Sequence, residues 1–153
     1  MTNIKPWDEY FLDLAKTCSS RSNCLRAQVG AVIVGPDRKI KATGYNGTPS
    51  KVESCAERGE CFRIKNNIPS GTQYETCRSI HAEQNAIIQA GQDRCQDGTI
   101  YIWGHNFICI LCKRFIVQSG IKNCVLKKDE TSPIVRVSVE DLRKELEGCE
   151  SVL

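Results

Sequence analysis

The chain of 153 residues has the length of one domain, and its hydrophobic fraction of 41% suits a folded core. Its net charge of +3 is too small to indicate a nucleic-acid-coating protein, which usually carries a marked basic face, but it is compatible with a small anionic substrate. Because no signal-peptide pattern and no run of roughly 20 apolar residues is present, we expect a cytoplasmic protein that binds neither membranes nor nucleic acids.

The first quarter of the chain predicts a helix followed by a hairpin. Residues 6–18 carry apolar side chains near one face of a helix, which is typical of an amphipathic surface helix. The apolar, β-branched run at residues 29–34 predicts a buried strand. The turn at residues 35–37 then leads into a second predicted strand at residues 40–45.

The second half alternates helices and strands. The predicted elements are a helix at 81–90, a loop at 92–98, strands at 99–103 and 121–126 with a helix from Cys109 between them, and a tail, 127–153, with a strand at 134–137 and a solvated helix at 139–147. Strands joined by helices imply parallel pairing through right-handed crossovers. We therefore expect one domain over residues 1–153, a three-layer α/β/α sandwich with a mixed central sheet.

Residues 46–76 form a long polar segment, here called the insert, and so long a connection is usually functional or disordered. The chain has ten cysteines, and without an export signal metal binding explains them better than disulfides. Four of them lie in or around the insert and could hold a second, structural zinc, or could equally be buried free thiols. This four-cysteine cluster consists of Cys24, Cys55, Cys61 and Cys77.

One histidine and two further cysteines have the spacing of a catalytic zinc site. His81 opens one predicted helix and Cys109 and Cys112 open another, and the positive end of a helix dipole favours thiolate over thiol. Zinc takes nitrogen and sulfur ligands in a tetrahedron, and three protein ligands leave a fourth position for water, whose pKa the metal lowers towards roughly 7. Glu83 would lie near the metal and move protons. The alternative is a buried histidine beside two core cysteines.

His81-Ala82-Glu83 followed by Cys109-x-x-Cys112 resembles the signature of the zinc-dependent cytidine deaminase superfamily. The resemblance implies the deaminase fold, a zinc held by His81, Cys109 and Cys112, and Glu83 as the catalytic residue. Some relatives also carry a structural zinc in the region of the insert. One departure is Ile108, where the family usually has proline; this change removes preorganisation of the helix start rather than a ligand.

Three stretches narrow the resemblance to deoxycytidylate deaminases: residues 21–34, residues 44–49 and residues 77–87. The resemblance implies hydrolysis of dCMP to dUMP and ammonia, feeding thymidylate synthesis, with Asn46 on the deoxyribose. Arg26 offers a planar guanidinium for the 5′-phosphate, and the backbone of Ala82 would contact the base. The alternatives are a turn role with positive φ for Asn46 and a surface ion pair for Arg26.

The same resemblance implies a homo-oligomer, often a hexamer, with dCTP activation and dTTP inhibition. The nearest rival function is deamination of another nucleoside, nucleotide or base. A second rival is a non-enzymatic structural zinc protein, which would have no use for Glu83 beside its histidine. A third is a degenerate deaminase that binds nucleotide without turnover, which the intact Glu83 disfavours.

Overall fold

The computed structural model describes residues 2–148, so the remaining cysteine, Cys149, lies outside the described residues. Within that range no helix has both the length and the apolar character needed to cross a membrane. The elements are α1 (Trp7–Ser19), β1 (Gly30–Val34), β2 (Ile40–Tyr45), α2 (Cys55–Arg58), α3 (Phe62–Lys65), α4 (Ala82–Ala90), α5 (Gln92–Cys95), β3 (Thr99–Trp103), α6 (Ile110–Ser119), β4 (Asn123–Lys127), β5 (Val135–Ser138) and α7 (Val139–Glu147), with a 3₁₀ turn at Tyr74–Thr76.

The five strands form one mixed sheet in the order β2-β1-β3-β4-β5. Only β3 and β4 are parallel neighbours, and α6 supplies the crossover between them, as predicted. The strands that α4 connects, β2 and β3, are separated by β1, which runs antiparallel to both. Parallel direction is thus preserved across this connection although the two strands do not pair.

Helices cover both faces of the sheet, which confirms the three-layer α/β/α sandwich. Because successive side chains of a strand point to opposite faces, Val32 packs with Phe11 and Leu12 of α1, whereas Ile33 packs with the helices of the other layer. Those helices are α4, α6 and α7. All five residues of β1 are buried, and this accounts for its continuous apolar run.

Three details differ from the sequence-based expectation. The predicted loop at 92–98 contains the short helix α5, whose Cys95 is buried in the core. The description of α7 as solvated is wrong for one of its faces, because Val139 and Leu142 are buried in the core cluster. Strands β4 and β5 each begin and end one or two residues later than predicted.

The insert is folded into short pieces. Helix α2 starts with a capping box in which the Ser54 side chain accepts from the Glu57 backbone and the Glu57 carboxylate accepts from the Ser54 backbone. Beyond the insert, Ile80 pairs with Gly47 through an isolated antiparallel bridge. The two ends of the segment are therefore held together, and Tyr74, near its end, brings its ring within 4.9 Å of the His81 ring at the start of α4.

Candidate metal centre and active site

The N-termini of α4 and α6 bring the three predicted zinc ligands together. His81 is the N-cap residue of α4 and Cys109 is the N-cap residue of α6. His81 Nδ1 lies 3.3 Å from the sulfur of Cys109 and 3.3 Å from that of Cys112. Within residues 2–148, this His81 group is the only set of three or more candidate ligands whose donor atoms all lie within 4.8 Å of one another.

Close packing of α4 onto β2 fixes the position of His81 and Glu83. A Cβ atom on Gly44 would overlap the carbonyl oxygen of Ala82 and lie 2.6 Å from the amide nitrogen of Ala86, so only glycine permits this approach. The side chain of Gln84 turns back and accepts a hydrogen bond of 2.9 Å from the His81 amide. The start of α4 is thus fixed both by its neighbour strand and by its own first turn.

The donor set and its charges fit a zinc ion. Without a metal, a hydrogen bond from the Cys112 thiol and the neighbouring His81 lower the pKa of Cys109 to about 4 against the cost of burial. The same bond to Cys109 and burial raise the pKa of Cys112. The neighbours thus lower the pKa of one thiol, and a bound cation would lower the pKa of the second. One nitrogen and two sulfurs are ligands that a catalytic zinc site uses.

Glu83 lies beside this group but outside it. Its residue is only 4% exposed, and burial raises the pKa of its carboxyl group, with the charge of Cys109 acting in the same direction. The thiol of Cys124, on β4, is close enough that burial and the Glu83 charge raise its pKa to about 12. The structure thus places a buried carboxylate next to the candidate metal ligands without making it one of them.

The other predicted substrate contacts, Asn46, Arg26 and Ala82, line the same cavity as His81 and Glu83. Asn46 is 8% exposed; its Oδ1 accepts a 2.9 Å hydrogen bond from the Val29 amide, and its Nδ2 donates a 2.8 Å bond to the Ala27 carbonyl. It is not among the residues with positive φ, so the alternative of a positive-φ turn role is wrong.

Arg26 is exposed at the rim of the cavity. Its Nη1 donates a 2.8 Å hydrogen bond to the carbonyl oxygen of Ile68, in the second half of the insert. The partner is a carbonyl rather than a carboxylate, so the alternative of a surface ion pair is not what the structure shows. Ile108 is 6% exposed and belongs to the hydrophobic core, which explains how the chain positions Cys109 without the usual proline.

Three further residues line the cavity: His105, whose orientation the sequence left open, and Arg63 and Tyr74, which the sequence interpretation missed. His105 faces the cavity, and burial followed by the nearby charge of His81 lowers its pKa. Its ring lies 4.9 Å from that of Phe107. Arg63 and Tyr74 enter from the insert. For Arg63 and Tyr74, the only sequence signal of a functional role was their position in a long segment before the zinc motif. The short helix α3 has no readable periodicity.

The four-cysteine cluster is looser than the His81 group. Cys55 is buried and the other three, Cys24, Cys61 and Cys77, are half-buried. Burial first, then charge at each of the other three cysteines, raises the pKa of Cys55, so the four are near neighbours. Within the described range, their sulfurs do not meet the 4.8 Å separation that the His81 group meets.

Comparisons with known proteins agree with this geometry. The chain is 40% identical over 119 residues to the deoxycytidylate deaminase of Schizosaccharomyces pombe. This alignment covers 78% of this chain and 36% of the relative. It is 35% identical over 127 residues to the deoxycytidylate deaminase of Mycobacterium phage D29. This alignment covers 80% of this chain and 95% of the relative. The chain thus spans about a third of the yeast relative and nearly all of the phage relative.

A solved structure shows the same fold. The dCMP deaminase of the cyanophage S-TIM5, in complex with dCMP and dUMP, aligns with a TM-score of 0.55 and 28% identity over 78% of this chain and 80% of that one. The family described as the cytidine and deoxycytidylate deaminase zinc-binding region matches residues 5–128, which contain the whole His81 group and Glu83. The chain therefore belongs to the cytidine and deoxycytidylate deaminase family.

Proposed function

We propose that this chain hydrolyses dCMP to dUMP and ammonia, with zinc as its cofactor. The observation that carries the proposal is the buried carboxylate of Glu83 beside the His81 group at one cavity. A structural zinc site needs no such carboxylate, whereas hydrolysis needs a group that moves protons. The choice of dCMP among related amines is supported by the deoxycytidylate deaminase relatives and by the solved relative that holds dCMP and dUMP.

His81, Cys109 and Cys112 would hold the zinc, which when bound lowers the pKa of a water molecule towards neutrality. Glu83 takes a proton from the water molecule as the water oxygen adds to C4 of cytosine. It delivers that proton to N3. It then takes the remaining proton of the added hydroxyl group and passes it to the amino group, so that the bond from C4 to N4 breaks, the C4 carbonyl forms and ammonia leaves. Burial of Glu83 keeps bulk water away from these transfers.

The remaining predicted contacts have spare hydrogen-bonding capacity towards a nucleotide. Asn46 keeps one N–H and one lone pair beyond its two backbone bonds, which suits a deoxyribose hydroxyl. Arg26 keeps most of its five donors for a phosphate at the rim. The backbone of Ala82, in the first turn of α4, lines the same cavity as Glu83 and would contact the base.

The decisive experiment measures ammonia release from dCMP, dCTP, CMP and deoxycytidine by the zinc-loaded chain. We expect dCMP to be deaminated much faster than the other three, and a loss of about 10²- to 10⁴-fold in Glu83→Gln with zinc content unchanged. Glu140→Gln, an exposed carboxylate paired with Arg143 on α7, is the matched control. A zinc-loaded wild type that releases ammonia from none of the four would overturn the assignment.

The four-cysteine cluster supports a second proposal, a structural zinc in the insert. Four sulfurs converge there from the segment before β1 and from the insert and its end, and Cys₄ is a common closed structural zinc set. Metal analysis should give two zinc ions per wild-type chain and one in Cys55→Ser. Cys18→Ser, a half-buried cysteine of α1, should keep both. One zinc in the wild type would contradict this second site.

The wider expectations stay part of the proposal. They are one domain over residues 1–153, with the insert at 46–76 and the tail at 127–153, a cytoplasmic homo-oligomer such as a hexamer, and regulation by dCTP and dTTP. Light scattering of the purified chain gives the oligomer number. Rates measured with added dCTP or dTTP should rise or fall respectively, and unchanged rates would remove the regulatory expectation.

A further inference from the structure

Arg63 is a buried arginine with an unpartnered donor. The residue is 6% exposed and lies on the four-residue helix α3. Its Nη2 donates to the carbonyl oxygens of Pro69 at 3.1 Å and Thr72 at 2.5 Å. Its Nε is buried and has no hydrogen-bond partner, an arrangement that is costly unless a ligand supplies the acceptor.

The guanidinium faces the proposed substrate cavity. Its central carbon lies 5.0 Å from the ring centroid of Tyr74, and the Tyr74 ring lies 4.9 Å from the His81 ring in an edge-to-face arrangement. One aromatic ring therefore separates Arg63 from a candidate metal ligand. All three residues line the cavity that also contains Glu83.

Arg63 has no carboxylate partner in the part of the chain that the structure describes. None of the ion pairs there includes Arg63. Its partners are neutral carbonyls, and the only carboxylate lining the cavity is Glu83. A buried guanidinium needs a compensating anion, and its planar fork matches the oxygens of a phosphate.

We propose that Arg63 recognises the 5′-phosphate of the substrate and makes the site select a nucleoside monophosphate over a nucleoside. The inference rests on the proposed function and deepens it. Arg26 approaches the same cavity but is exposed, so it provides charge at the rim, whereas Arg63 provides a desolvated donor inside. Both arginines also bond carbonyls of residues 68–72, so the segment that carries Ser70 and Gly71 is held over the phosphate position.

The test compares wild type, Arg63→Gln and Arg63→Lys with dCMP and with deoxycytidine. We expect Arg63→Gln to lower kcat/KM for dCMP by about 10- to 100-fold, since hydrogen bonds to charged groups are of that strength, and to change kcat/KM for deoxycytidine by less than about threefold. Arg63→Lys keeps the charge but loses the planar guanidinium. Its kcat/KM for dCMP should lie between those of the wild type and Arg63→Gln. Arg58→Gln, an exposed arginine of α2 paired with Glu53, is the control.

A purely structural role would lower the values for both substrates equally, and that outcome overturns the inference. If Arg63→Gln does not fold, the dCMP-to-deoxycytidine ratio of Arg63→Lys decides, because a structural role leaves that ratio unchanged. Calorimetric titration with dUMP and deoxyuridine separates the two proposals. If the wild type binds dUMP through Arg63 but does not deaminate dCMP, the phosphate-site inference stands and the proposed function is overturned. Equal dUMP affinity in wild type and Arg63→Lys overturns the site.

Discussion

The chain carries two groups of candidate metal ligands on two different kinds of support. The His81 group lies at the N-termini of α4 and α6, helices of 9 and 10 residues that pack on the sheet. The four-cysteine cluster lies on loops and at the starts of α2 and α3, helices of four residues each. The donor atoms of the first group all lie within 4.8 Å of one another. Within residues 2–148, those of the second group do not.

Local physics accounts for that difference. Helices of one turn are unstable by themselves, because nucleation fixes several dihedral angles for one hydrogen bond. Helices α4 and α6 instead bury Ala82, Ala86, Cys112 and Ile116 in the main core, which holds their ends in place. The comparison indicates that packing positions the candidate ligands of the His81 group, whereas the zinc proposed for the insert would cross-link a region with fewer core contacts.

Removing one sulfur from each group gives the largest contrast. Cys112→Ser should lower the rate of dCMP deamination by at least about 10³-fold, because a metal supplies several kcal/mol of charge stabilisation. Cys55→Ser should cost less than about tenfold, since it acts only through the insert. Rates measured at saturating dCMP, with Cys18→Ser as the reference, check this order. Similar losses in both variants would show that the two groups depend on each other.

Gly44→Ala tests whether core packing positions the catalytic ligands. The added methyl group would overlap Ala82 and press on Ala86, so we expect a loss of about 1–3 kcal/mol in the free energy of unfolding together with reduced activity. Gly148→Ala is the matched control, because its Cβ would meet no atom closer than 3.6 Å. Urea denaturation measures both variants, and equal stabilities would show that α4 can shift away from β2 freely.

Metal removal should affect the two regions unequally. After chelation we expect amide hydrogen exchange in the insert, residues 46–76, to speed up by about tenfold or more, because metal binding couples to local folding. Exchange in β1 and β3 should stay slow. Mass spectrometry of exchanged peptides reads both regions in one sample. An insert whose exchange is the same with and without zinc would remove the argument for a cross-link there.

The smallest effect is expected on the opposite face of the sheet, far from both groups. Asp8 accepts a 2.9 Å hydrogen bond from the Tyr101 hydroxyl and a 2.7 Å bond from Nη2 of Arg136. Asp8→Asn should cost about 1 kcal/mol of unfolding free energy, because Arg136 is largely exposed and its contribution is screened. Zinc content and dCMP turnover should equal those of the wild type; a change in either would link the two faces.

The parts of the fold with strong periodicity could be predicted from the sequence. Helices α1, α4 and α7 and the hairpin of β1 and β2 follow the predictions closely, because apolar spacing and terminating glycines act locally. Helix α5 was missed, because one helical turn leaves no periodic signal. The buried face of α7 was missed because its mostly charged sequence hides two apolar positions that only α6 makes into a core.

By itself the sequence determined the ligand chemistry: one imidazole and two thiols at predicted helix starts, with a carboxylate two residues after the imidazole. Only the tertiary structure decided what surrounds them. It bonded Asn46 to the backbone on both sides, turned His105 towards the cavity, and buried Arg63 in its wall with an unpartnered Nε. Short-range spacing sets which side chains share a helix turn, but burial and unpaired charge arise from contacts between distant segments, which spacing does not encode.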